Sequence, residues 1–198
     1  MQTLAGVAAD PMSVTTELVP ASGPAFVLRP LEPHDRGRLT AFFDGLSARS
    51  RFYGGVSGNT AVRAIEHCDA IGIYDKLRLL LCTADPGEPA VGLIELSFDV
   101  VASDVERFRG YGVELGAADA RFGLCVADDV QGTGAAAFAS TAAFDIVRQL
   151  GRTRLILWGG VLEDNVRARR FYRRLGFTEF GTWLEPDGEV VRDGLLEL

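Results

Sequence analysis

Hydrophobic positions in this chain alternate between two spacings, and the switches between them mark out its elements. "FVLRPLEPHD" opens as a short strand that Pro30 and Pro33 punctuate. Pro33, His34 and Asp35 then start a helix, "HDRGRLTAFFDGLS", whose Leu39, Phe42, Phe43 and Leu46 fall at helical spacing. "RSRFYGG" ends on a glycine pair, and a second helical stretch surrounds "TAVRAIEHCD". "LRLLLCTA" and "AVGLIELSFDV" read as strands joined by "DPGEP", a turn that Pro and Gly preset. The polar stretch "ASDVERFRGYGVELGAAD" exceeds an ordinary hairpin connection and is expected to be a functional loop. "ARFGLCVA" is a strand running directly into a glycine-bearing loop, and "AAAFASTAAFDIVRQLG" is a helix stopped at Gly151. "RLILWGGV" is a strand, and "NVRARRFYRRLG" a helix that Asn165 can cap and Gly176 ends. "FTEFGTWLEPDGEVVRDGLLEL" closes the chain as a hairpin around Pro186, Asp187 and Gly188.

The resulting order, β-α-α-β-β-β-α-β-α-β-β, predicts one α/β domain over residues 25–198. A chain of 198 residues suffices for a substantial core. Residues 1–24, "MQTLAGVAADPMSVTTELVPASGP", are small, polar and proline-containing, and are expected to form a loosely held, flexible leader. They lack the basic start and long apolar core of a secretion signal, and no apolar run approaches the roughly 20 residues of a membrane span. A cytoplasmic location is the expectation. There is no internal repeat and no low-complexity tract.

Composition, 47% hydrophobic and 24% charged, is ordinary for a globular domain. The net charge of -7 argues against nonspecific nucleic-acid or anionic-membrane partners and is compatible with a cationic amine substrate. Cys68, Cys82 and Cys125 are odd in number and irregular in spacing, which excludes a disulfide framework and predicts buried, reduced thiols. With His34 and His67 as the only histidines, no metal site is expected.

The stretch "DDVQGTGAAA" supports two chemistries. Gly132 to Ala137 satisfies the G-x-G-x-x-(G/A) dinucleotide turn, while Gln131 to Ala136 satisfies Q-x-x-G-x-A, the pyrophosphate loop of acyl-coenzyme A enzymes. In both, glycines let the backbone approach an anion and a helix N-terminus faces it. Context decides against NAD. Three strands precede this loop, too little chain follows for a doubly wound sheet, and the next strand ends at Leu157-Trp158-Gly159-Gly160 without the acidic residue that a ribose requires.

A second motif completes the reading. "NVRARRFYRRLGF" fits N-x-x-A-x-x-x-Y followed by Gly-Phe, and it lies one strand beyond "LCVADDVQGTGAAAF". With both motifs in this order, the chain from Phe26 to Leu198 resembles the GNAT superfamily of acyl-coenzyme A dependent N-acyltransferases. "LSARSRFYGG" further resembles the segment after the first helix in bacterial protein-lysine acetyltransferase domains. The resemblance implies a mixed central sheet flanked by helices, acetyl-CoA as cosubstrate, and direct attack by an amine on a small molecule or protein. The amine would enter from the side built by the first two helices and the loop around Tyr111. The alternative is a noncatalytic acyl-CoA-binding sensor or scaffold.

The resemblance also assigns residues. Gln131, Gly132, Thr133, Gly134, Ala135 and Ala136 would hold the pyrophosphate, and backbone groups near Leu124, Cys125 and Val126 would pair with the pantetheine amides. Asn165, Ala168 and Tyr172 share one helix face. Asn165 can cap that helix or bind the pantetheine arm. Tyr172 can protonate the departing thiolate or be a core aromatic beside Phe171. Cys125 would lie near the coenzyme thiol, as a covalent group or as a small strand residue. Thr133 stands where many relatives carry a cation, and Arg167, Arg169, Arg170, Arg173 and Arg174 are candidates to compensate. Arg121 stands where similar protein acetyltransferases place a basic glutamate, leaving Glu95, Asp119 or an ordered water to take the proton.

Overall fold

The computed structural model describes residues 2–20, 23–85, 87–185 and 188–198, and it joins the alternating segments into one mixed sheet. Its strands are β1 Thr16–Leu18, β2 Phe26–Pro30, β3 Lys76–Thr83, β4 Ala90–Ser97, β5 Asp119–Val126, β6 Arg154–Leu157, β7 Val161–Leu162, β8 Thr178–Leu184 and β9 Val190–Glu197. From β1 to β5 each strand runs antiparallel to the next, and β5 then pairs in parallel with β6. Strand β9 carries β6 and β7 along one edge and β8 along the other. The helices are α1 Leu4–Ala9, α2 Arg36–Gly45, α3 Ala48–Tyr53, α4 Thr60–Asp69, α5 Ala102–Gly110, α6 Ala135–Gln149 and α7 Val166–Arg174. Among the described residues no helix is long and apolar enough to cross a membrane.

Strand alternation decides what meets what. One sheet face presents Leu79, Leu81, Ile94, Leu96 and Phe122 to α6, whose Ala135, Ala139 and Ala143 let the helix lie close. The opposite face is divided. Helices α2 and α4 seal its β2–β4 half, packing Phe42, Phe43, Ala64 and Cys68 on Leu80, Cys82 and Leu93. Helix α5 seals the other half, with Phe108 over Ile156 and Leu195. Between these two caps the same face of β4 and β5 carries Glu95, Arg121, Gly123 and Cys125.

The predicted sequence of strands and helices is present, with additions. Residues 1–24 differ most from expectation. The described part of this leader forms α1, capped by Thr3, then a 3-10 turn over Pro11–Val14, then β1 paired to β2. Val7, Val14 and Leu18 are buried in the main core, because three apolar residues spaced along a polar segment are enough to fasten it to an uncovered sheet edge. The polar stretch expected as a loop contains α5, and α3 occupies "ARSRFY". The closing hairpin is present as β8 and β9; Pro186 and Asp187 of its turn, and Pro86 of the earlier turn, lie outside the described residues.

Candidate active site

Parallel pairing of β5 with β6 stops at Phe122 and Leu157, where the Trp158 N–H makes a last bond of 2.9 Å to the Phe122 carbonyl. The chain then turns away at Gly159 and Gly160, both with positive φ. A side chain at Gly160 would meet the Arg192 carbonyl at 2.9 Å, so the turn requires glycine. Strand β5 nevertheless continues, paired on its other edge with β4 out to Val126. Residues 123–126 therefore have an open edge. Alternation from Phe122 turns the N–H and C=O of Leu124 and Val126 toward it, and Cys125 toward β4.

The chain leaves this edge into the glycine loop. Gly132 and Gly134 both take left-handed backbone conformations, and Gly134 is the N-cap of α6. Glycine offers no capping side chain. The Thr133 hydroxyl accepts from the Ala135 N–H at 3.3 Å and donates to the Val130 carbonyl, so it shapes the loop. The loop is pinned from both sides. The Gln131 amide donates to the Val126 carbonyl (3.1 Å) and to Ser50 Oγ (3.3 Å), and its Oε1 accepts from Arg167 at 2.5 Å. A Gly132 Cβ would lie 3.7 Å from the same guanidinium. Arg167 of α7 thus brings a cation beside this loop, where Thr133 carries none. Arg169, in contrast, is tied up with Glu163 and Glu179.

Asp128 fastens α3 to this loop, accepting from the Ser47 N–H (2.9 Å), the Ser47 hydroxyl (3.0 Å) and the Ser50 hydroxyl (2.6 Å). The Ser47 N–H and the two hydroxyls hold its carboxyl below the usual carboxylate range. Helix α3 then ends at Gly54 against Cys125: a Cβ at 54 would sit 2.7 Å from Sγ. Burial pushes the Cys125 thiol up to about 12, so it is a thiol and not a thiolate at neutral pH, which suits the small strand residue and not a covalent nucleophile.

On α7, Asn165 Oδ1 accepts from the Ala168 N–H at 3.1 Å, which makes it the helix cap. Tyr172 packs its ring against Phe122, Phe171 and Phe177. Burial first, and the neighbouring Cys125 second, push its hydroxyl well above the ordinary phenol range. Core packing and proton donation are therefore not exclusive here. The ring is held by aromatic edges while the hydroxyl keeps its proton at neutral pH.

The three carboxylate and arginine positions separate clearly. Asp119 begins β5 at the end opposite the loop, about 20 Å of strand away. It is fully buried, accepting from Arg154 at 2.6 and 2.9 Å and from the Gly116 N–H at 2.5 Å. Asp119, expected as a candidate base, is instead locked in a structural ion pair remote from the loop. Glu95 lies opposite Gly123 in the β4–β5 register, one strand across from the open edge. Its Oε1 accepts from Arg78 at 2.9 Å and lies 3.3 Å from His67 Nε2. Burial alone would raise this carboxyl; the His67 and Arg78 interactions outweigh it and keep the group below the usual range. Arg121 stacks 4.6 Å over Trp158 and places Nε 2.9 Å from Asp104. Asp104 in turn meets Arg107, which also binds Asp193, as does the Tyr111 hydroxyl. None of Asp104, Arg107, Trp158 and Asp193 carried a sequence signal, since their contacts join segments as far as 86 residues apart.

An acetyltransferase (GNAT) family model matches residues 79–177, half of the chain. No curated protein sequence matches. Among solved structures, the GNAT domain of S. lividans PAT superposes with a TM-score of 0.71 at 21% identity, covering 95% of this chain and 99% of that one. The aminoglycoside acetyltransferase AAC(6')-Ib in complex with coenzyme A gives 0.66 at 18% identity, over 87% and 94%. A chimera of spermidine N-acetyltransferase SpeG from Vibrio cholerae and hSSAT gives 0.64 at 19%, over 87% and 95%. At these identities the likeness is one of fold.

Proposed function

Because the chain belongs to the GNAT acetyltransferase family, we propose that it moves an acetyl group from acetyl-CoA to a primary amine by direct attack. One observation carries the reading: the open edge of β5 at Leu124 lies between a glycine loop built for an anion and a partly buried tyrosine that holds its proton. Acetyl-CoA supplies an acetyl thioester and a pyrophosphate. The first-turn N–H groups of α6, with Arg167 above Gly132, fit the pyrophosphate. The peptide groups of Leu124 fit the amides of an extended chain as an added strand would. A backbone N–H on this edge also polarises the acyl carbonyl.

The transfer forms a C–N bond and breaks the C–S bond. Glu95 takes the proton from the attacking nitrogen, directly or through a water. Its carboxyl is ionised, as a proton acceptor must be, but being held below the usual range it is a weaker base than an ordinary glutamate. Tyr172 gives its hydroxyl proton to the departing sulfur and regains one from solvent.

Calorimetric titration with acetyl-CoA, with NAD as control, tests the loop; thiol release with a panel of amines tests the transfer. Tyr172→Phe is expected to bind acetyl-CoA as the parent does while losing turnover about 100-fold or more. Unchanged turnover would remove Tyr172 from the chemistry. Tight binding of acetyl-CoA without transfer to any amine would favour the noncatalytic sensor.

A further inference from the structure

The two arginines near the open edge are used very differently. Arg107 donates to Asp104 at 2.7 Å and to Asp193 at 3.0 and 3.2 Å. Arg121 is equally buried, yet its guanidinium donates no hydrogen bond to any described residue. Its one close carboxylate, Asp104 Oδ2, faces Nε at 2.9 Å but out of line, and both atoms are left without a hydrogen bond. A guanidinium taken out of water normally has its donors satisfied. Here only Nε is buried without a partner, while the Trp158 ring holds the planar fork in one orientation and its two terminal nitrogens donate to no described residue.

Glu95 stands on the other side of a gap. It pairs with Gly123 in register, and Arg121 pairs with Ser97, so the two charged residues are diagonal neighbours on one sheet face, with Cβ atoms about 7–8 Å apart. Between them Gly123 contributes no side chain, and the place its Cβ would take is 3.8 Å from Trp158 Cβ. The close ion pairs balance, Arg78 against Glu95 on one side and Arg107 and Arg121 against Asp104 and Asp193 on the other, with the exposed Asp99 also acting on Arg121. A polycation would find, beyond the paired carboxylates, only Asp99 among the described residues to meet its several charges. A molecule carrying one ammonium and one carboxylate adds no net charge, and each end finds its opposite.

We infer that the acceptor is a small zwitterion of the amino-acid class, its amine on Glu95 and its carboxylate on the Arg121 fork. This rests on the acetyl-transfer reading above and names the substrate of that same site. Planar, bidentate recognition of a carboxylate is what arginine provides and lysine does not.

The test is equilibrium binding, with and without coenzyme A present, of the common L-amino acids, each beside its own carboxamide, with spermidine as a polycation. The expected result is that at least one amino acid binds and its carboxamide binds about 100-fold more weakly or worse. Arg121→Gln should abolish that discrimination while acetyl-CoA affinity stays as in the parent, with some loss of stability because Asp104 loses a partner. The comparison of acid with amide is made on the unmodified protein, so it stands whether or not the variant folds. Equal binding of acids and amides, preference for spermidine, or no binding of any amino acid overturns the inference. Acetyl-CoA titration is read separately: its failure would sink the coenzyme reading while an acid-over-amide preference would leave the carboxylate site standing.

Discussion

Asp35 is fully buried where β2 hands over to α2. Arg29 reaches it through two hydrogen bonds of 2.8 Å, Arg38 through a third, and the Glu32 N–H through a fourth of 2.9 Å. Burial alone would raise its carboxyl; the Arg29 and backbone bonds outweigh that and bring it from 3.8 to about 2. A carboxyl held down in the fold stabilises it above the unfolded carboxylate range, and that contribution disappears as pH falls from about 4 through about 2. The shift corresponds to roughly 2 kcal/mol. Asp35→Asn leaves two arginines beside a neutral amide, and is expected to lose about 3–5 kcal/mol at pH 7. Urea unfolding should show the gap between parent and variant narrowing at pH 3. Cys125 makes the opposite point at this scale. A thiol pushed to about 12 has almost no thiolate to offer, so Cys125→Ala should retain acetyl transfer, read as product formed by mass spectrometry.

Among the elements, α3 has its placement set by a missing side chain. An alanine at Gly54 would stand 2.7 Å from Cys125 Sγ and 2.9 Å from the Ser50 carbonyl. Gly54→Ala is therefore expected to cost about 1–3 kcal/mol and to weaken acetyl-CoA binding, because Ser50 on the same helix holds Gln131. Adding Cys125→Ala should recover part of the loss, since it removes the nearer of the two obstacles; no recovery would mean that the Ser50 carbonyl alone decides the fit. The elements that were legible in the sequence share a property with α6 and α7. Their apolar or motif residues lie within one helix or at its junction, so local spacing reveals Gln131, Gly134 and Tyr172. Helix α5 was not legible, because Phe108 is its one fully apolar anchor and the rest of its hold is ionic, from Asp104 and Arg107 to β5 and β9. Asp119 was misread for a related reason. Nearness in sequence to the loop-bearing strand is not nearness to the loop, and only the strand's length and register put the two ends apart.

At the scale of the whole molecule, residues 2–18 belong to the fold. Val7, Val14 and Leu18 are each nearly excluded from solvent against the core that α6 covers. Removing residues 2–18 gives up burial worth about 1.5–3 kcal/mol for each such side chain, and the truncated protein should melt well below the parent in a thermal scan. Unchanged melting would mean that these residues add nothing to the fold.

The open edge of β5 has a consequence for the molecule's company as well as for its ligand. Unpaired strand edges are templates on which other chains stack, and proteins that must keep one in water usually blunt it with charge, proline or a covering segment. This one is four residues long, and its useful peptide groups are centred on Leu124, with Val126 already bonded to Gln131. Trp158 bounds it at one end and the glycine loop at the other. A gap that short admits a ligand with a pair of amides but gives an invading strand too few rungs to hold. The same brevity that shapes the binding slot thus guards the protein against aggregation through it.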